Sequence, residues 1–208
     1  LPAIWEQKLS GSFGFDTRES RALFFVSVVI NIVRALLFLA RLFWCVKKFQ
    51  PLDMKPSSYF FHDLNLDNFD DYTRENNSQH ILNRLLPRSG VHHVYFFTDD
   101  LNKSVFKTGN IVLTPVKSLA ELRDIKPNFK KFIFCAGSLI SKAVSALFCG
   151  RFEQSYLLRE ELIAIWIKFC CRNFINLSTN YFMNGWTYKP LWLSSNQCDG
   201  TVFFYSTN

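Results

Sequence analysis

No two of the six cysteines, Cys45, Cys135, Cys149, Cys170, Cys171 and Cys198, stand in a C-x-x-C arrangement, which excludes the metal-finger spacings. Glycine is sparse, with 8 in 208 residues. The one glycine at a suitable turn, Gly137, lacks the two companions of a dinucleotide fingerprint, and no Walker lysine follows it. No long uncharged hydrophobic run is present either. The best candidate, Ala22 to Val46, is interrupted by Arg34 and Arg41, each costing roughly 2.5–3.5 kcal/mol near a bilayer centre. Its uninterrupted part is the twelve residues from Ala22 to Val33, too short to cross about 30 Å of hydrocarbon as a helix.

What is abundant is aromatic mass. Phenylalanine alone occupies 23 positions, and 49% of the residues are apolar, which excludes a disordered chain and suits one core of ordinary size. The net charge of +7 favours a polyanionic neighbour met through one basic face, although an ordinary basic soluble protein has the same balance. Most of the cysteines sit in apolar runs such as Phe-Cys-Ala, so all are expected as reduced core residues of a matrix-like or cytosolic compartment.

The apolar N-terminal stretch divides most naturally into a strand and a helix. Leu23–Val29 has the β-branched and aromatic continuity of a buried parallel strand. Asn31 offers a cap for a helix from Ile32 to Lys48, with Arg34 and Arg41, seven apart, on one polar stripe. A membrane anchor at Ala22–Val46 is the competing reading.

Residues 50–89 turn polar and read as an insertion or linker, helical only over Gln79–Leu86. Val91–Thr98 and Ile111–Leu113 read as strands, Ser118–Ile125 as a short helix, and Phe132–Cys135 as a further strand. The turn Ala136-Gly137-Ser138 then leads into a helix over Leu139–Phe148, and an amphipathic helix covers Glu153–Cys171. Leu191–Leu193 and Thr201–Tyr205 look like closing strands. This alternation predicts an α/β fold with a mostly parallel sheet flanked by helices. Its parts are a first strand–helix unit (1–49), an insertion (50–89), the continued core (90–150), a helical insertion (151–189) and terminal strands (190–208).

Catalytic chemistry finds little support. The Cys135–Ser138 turn could offer N–H groups to a phosphate, but an empty turn fits as well. His92 and His93 are adjacent on a strand and face opposite sides, so they read as surface histidines, not a metal pair. Asp99-Asp100 and Glu160-Glu161 read as solvated carboxylates. Basic residues are better placed: Lys126, Lys130 and Lys131 surround Pro127-Asn128-Phe129, Lys47 and Lys48 end a helix, and Arg18 and Arg21 precede the first strand. Such groups suit phosphate and single-strand contacts, or simply keep the protein soluble.

Several segments, in order, resemble bacterial-type small-subunit ribosomal protein 2. Phe13-Gly14-Phe15 with Arg18 is similar to the family's aromatic-Gly-x-Arg segment, and Ala35–Leu42 to its Ala-Leu-x-Phe-Leu-x-x-Leu helix. Val94–Thr98 is similar to the next strand, and Phe106–Thr114 to the Trp-x-Gly-Gly-x-x-Thr-Asn loop. Lys126-Pro127-Asn128 before Phe132-Ile133-Phe134 resembles the family's Pro-Asp and strand, and Ser195-Asn196 and Asn208 its closing motifs. The resemblance implies a Rossmann-like fold with two insertions and a non-enzymatic component of a mitochondrial small ribosomal subunit in the matrix, without cofactor. It would bind ribosomal RNA through Arg18, Arg21, Lys47, Lys48, Lys107, Lys126, Lys130 and Lys131, and neighbouring ribosomal proteins through its insertions. The alternative is a membrane-anchored accessory subunit of a mitochondrial inner-membrane complex.

Overall fold

The structure, a computed structural model, describes residues 17–62, 82, 86–87, 89–100, 102, 104–149, 153–181 and 191–192. Its helices are α1 (Thr17–Lys48), α2 (Phe129–Phe148), α3 (Glu153–Cys170) and α4 (Arg172–Leu177). Its strands are β1 (Ser58–Phe61), β2 (His92–Phe97), β3 (Phe106–Thr108), β4 (Ile111–Val116) and β5 (Ser178–Tyr181). They form one sheet in the order β3-β4-β2-β1-β5. The four strands β4, β2, β1 and β5 run parallel, and β3 adds an antiparallel edge. The expected α/β architecture with a mostly parallel sheet and flanking helices is therefore present.

Alternation along the strands splits the core in two, since successive side chains leave opposite faces of a sheet. Phe60, Tyr95 and Val116 face the helices and join Ala35, Leu42, Phe132, Leu158, Trp166 and Phe174. Phe61, Val94, Phe96, Ile111, Leu113 and Tyr181 point the other way and pack with Leu82 and Leu86. Gly109 takes φ 59° in the turn joining β3 to β4, a conformation that favours glycine. Pro115 falls where β4 has passed the end of β3, so its missing N–H breaks no bond on that side.

The helical layer centres on α3. Its buried residues Leu158, Leu162, Ala164, Trp166, Ile167 and Cys170 surround most of its circumference, because α1 and α2 both pack against it while Ile163 and Ile167 face a cavity shared with sheet residues. Ser27 of α1 meets Tyr156 near the start of α3, and Phe43 reaches Phe132, which stacks edge-on against Trp166 near the end of α3. Thus α1 runs parallel to α3. The loop 117–128 ties the ends together: Arg123 donates to Val46 O, Phe49 O and Ala120 O, and Asp124 accepts from the N–H groups of Arg172 and Asn173 at the start of α4.

Several expectations are corrected. Leu23–Val29 is helical, and Asn31 lies inside α1 instead of capping a helix. A continuous run of Val, Ile and Phe has no period that separates strand from helix, and here Ser27 meets α3 and Val28 is buried while Val26 and Val29 are exposed. For the same reason Phe132–Cys135 is the start of α2, which leaves Ala136-Gly137-Ser138 mid-helix with no turn for a phosphate. Ser118–Ile125 is a series of turns; the Ser118 side chain caps Ala120 N–H, but the chain then spends its polar groups on neighbouring helix ends. Leu191 and Trp192 are helical, not extended. Residues 50–89 supply β1, and residues 151–189 supply α3, α4 and β5, so both expected insertions contribute to the sheet. Gln79–Leu86, apart from Leu82 and Leu86, lies outside the described residues, as do Cys198 and Thr201–Tyr205.

Candidate functional site

In open parallel sheets ligands enter at the carboxyl ends of the strands, near the point where strand order reverses. Here the chain steps from β1 to β2 to β4 and then returns to place β5 on the other side of β1, so the reversal lies between β1 and β5. His62 follows β1 at this spot. Its Nε2 is 3.1 Å from Oδ1 of Asn180 on β5, a hydrogen bond in the tautomer that carries the proton on Nε2, since an amide oxygen only accepts. Asn180 is fully buried, and its Nδ2 has no hydrogen-bond partner, an arrangement costing about 1–3 kcal/mol.

Beside this pair lies a cavity of about 210 Å³ lined by His62, Phe97, Leu119, Leu122, Glu160, Ile163, Ile167, Phe174 and Trp192. Ring contacts fix its aromatic walls: His62 lies 5.6 Å from Trp192 and 4.8 Å from Phe60, and Phe174 lies 5.4 Å from Trp192. Glu160 is the one acidic residue among the described residues that line the cavity. The expectation that Glu160 and Glu161 sit on a wet helix face is corrected, because Glu160 lines this cavity and burial raises the Glu161 carboxyl above its ordinary value. His92 is also buried, its Nε2 2.8 Å from Pro87 O, so it is not a surface histidine.

A second surface is apolar. Val26–Lys48 and Phe129–Phe148 are long and apolar enough to cross a membrane by length and composition, yet only 17% and 22% of their most apolar stretches are buried. On α1 the inner side carries Val28, Ala35, Leu42 and Cys45. The outer side exposes Val26, Ile30, Val33, Leu37 and Trp44, which recur at helical spacing. Arg34, Arg41 and Lys48, spaced by seven, form an exposed stripe along one flank of that side. On α2, Ile133, Phe134, Val144 and Phe148 are exposed.

The basic residues expected to bind RNA divide into groups. Lys47 and Lys48 end α1, Lys130 and Lys131 open α2, and Lys126 lies in the loop bonded to both; all five are exposed at one end of the helical layer. Lys126 and Arg172 also line an open depression with Asp124, Asn173 and Asn176. Lys107 lies on β3, beside the start of β4 and away from that loop. Arg18 and Arg21 belong to the first turns of α1, about 40 Å from Lys47 by helical rise, so they share no patch with it.

Sequence reasoning missed His62 and Asn180. They lie 118 positions apart, and only the parallel pairing of β1 with β5 joins them. Two strands on which the ribosomal resemblance drew, ahead of Ala35 and at Phe132–Phe134, are helical. Compared with protein-family models, curated proteins and solved structures, the chain matches none.

Proposed function

We propose that this protein is a membrane-surface α/β domain that lies on an anionic leaflet through the outer side of α1. The observation that carries this reading is the half-covered helix. Apart from the Arg34–Arg41–Lys48 stripe α1 is apolar on its inner and outer sides, but the described residues cover only the side that meets α3. A helix with a second, exposed apolar side calls for a second apolar neighbour. Crossing the bilayer is the poorer solution, because α3, packed along α1, carries Arg159, Glu160, Glu161 and Lys168 and would be drawn into lipid with it. A helix lying in the interface resolves this conflict. Val26, Ile30, Val33, Leu37 and Trp44 reach the acyl boundary, while Arg34, Arg41 and Lys48 stay among the headgroups, each worth about 1 kcal/mol against anionic lipid. The expected anchor at Ala22–Val46 is thereby kept as a surface helix.

Flotation of the full chain with phosphatidylglycerol-containing vesicles tests the reading. The wild type floats, and Leu37→Asp/Trp44→Asp stays at the bottom of the gradient with an unchanged circular dichroism spectrum, since both side chains are already exposed. Equal flotation of the two proteins would sink the proposal.

A second reading is a component of the mitochondrial small ribosomal subunit, and the convergence of Lys47, Lys48, Lys126, Lys130 and Lys131 favours it. Under this reading the basic end binds ribosomal RNA and the exposed helix faces meet neighbouring ribosomal proteins. It predicts salt-sensitive co-sedimentation with small subunits and no dependence on vesicles.

A further inference from the structure

We infer that the cavity between His62, Glu160 and Trp192 binds a small organic cation of the alkylammonium class. Among the described residues the lining is apolar and aromatic apart from Glu160 and the His62 ring. Glu160 makes no ion pair among the described residues, and it lines a cavity whose other described walls are apolar apart from His62. That placement repels anions. A neutral apolar guest would strip water from the carboxylate without compensation, whereas a cation satisfies it and gains from the faces of Trp192, Phe174 and Phe97, to which ammonium groups are attracted within about 6 Å. The volume also discriminates. At about 210 Å³ the space suits a trimethylammonium-sized group and is too small for a nucleotide, whose sites fall in or above the range of roughly 300–1,000 Å³ usual for ligand pockets.

The walls are preorganised for this guest. Asn180 holds His62 through its amide oxygen while its own Nδ2 stays unsatisfied in full burial, and the ring so fixed packs on Phe60 and Trp192. A wall already locked loses little entropy when a ligand arrives. The cation could be free in solution or belong to a lipid headgroup, and choline chemistry is common to both.

Titration of the full chain in the absence of vesicles, followed by calorimetry and by proton NMR of the ligand, tests the assignment. Choline is expected to bind saturably with a Kd of about 0.1–1 mM. Its uncharged isostere 3,3-dimethylbutan-1-ol should bind at least tenfold more weakly. Glu160→Gln should reduce choline affinity about tenfold and bring the two ligands level, and Trp192→Leu should weaken choline while keeping its preference over the isostere. Short-chain phosphatidylcholine below its micelle concentration separates the sources: tighter binding than choline assigns a headgroup, equal or weaker binding a free cation. No saturable choline binding, equal binding of the isostere, or unchanged affinity in Glu160→Gln would overturn the assignment. These readings involve no bilayer, so their failure is distinct from failure of the membrane-surface proposal.

Discussion

Glu121 shows how single groups in this fold answer to pH. Its side chain is 6% exposed, Oε1 accepts the Lys117 N–H at 3.2 Å, and burial raises its carboxyl above the ordinary value. A raised folded-state value means that the folded protein holds the proton more tightly than the unfolded chain. The resulting stability is fully present below the ordinary carboxylate range and is lost as pH climbs through the raised value. Glu121→Gln keeps the acceptor and removes the charge. Thermal melts should therefore place the variant's midpoint above that of wild type at pH 7, with the two converging below about pH 4; coincident midpoints at neutral pH would contradict the argument. Cysteine reactivity follows burial in the same way. Burial pushes the Cys170 thiol up to about 12 and Cys171 well above its ordinary value, so neither supplies a thiolate near neutrality. Cys149 is exposed and Cys135 half-buried, which corrects the expectation that all the cysteines are core residues. Alkylation read by peptide mass spectrometry should mark Cys149 first and Cys135 more slowly, and should leave Cys45, Cys170 and Cys171 untouched until denaturant is added.

At the scale of elements, the end of α1 depends on a residue 74 positions beyond the last carbonyl it serves. Arg123 bonds two carbonyls there and a third in its own loop, adding positive charge where the helix dipole is negative. Arg123→Ala should cost about 2–3 kcal/mol, measured by urea unfolding. Arg123→Lys should recover only part of this, because one ammonium does not reproduce the fork of a guanidinium. A loss below half a kcal/mol would show that water replaces the cap. The same elements explain how much was legible in advance. β2, β4 and α3 were visible because His92–Phe97 and Ile111–Val116 are flanked by turn residues, and because Glu153–Cys170 is long and periodic. The first half of α1 and the start of α2 were misread because their apolar runs lack a period. β1 was hidden as four residues in a polar stretch, and β5, Ser-Thr-Asn-Tyr, has no apolar signature at all. Its place comes from pairing with β1, a tertiary fact, so the His62–Asn180 contact could not be read locally. The lysine cluster was half legible: Lys126, Lys130 and Lys131 are close in sequence, while Lys47 and Lys48 join them only through Phe43, Phe132 and Arg123.

For the whole molecule, the chief asymmetry is between a sheet face covered by helices and a helical layer whose own outside exposes large apolar side chains. Burying large side chains stabilises by about 1.5–3 kcal/mol each, so the five outward residues of α1 hold substantial free energy that the isolated fold leaves unused. Changes to those residues should therefore alter association far more than stability. This is why Leu37→Asp/Trp44→Asp is expected to abolish flotation at nearly unchanged melting temperature; a large drop in melting temperature would place the two side chains inside the fold. The parallel packing of α1 on α3 also has a consequence in time. The first helix is made long before the surface that shelters its inner side, since roughly a hundred residues separate Lys48 from Glu153, or about 5–20 s of translation at common rates. Throughout that interval a nascent chain presents both sides of a greasy rod to whatever is nearby, so any surface that takes up α1 competes with the later packing of α3 against it.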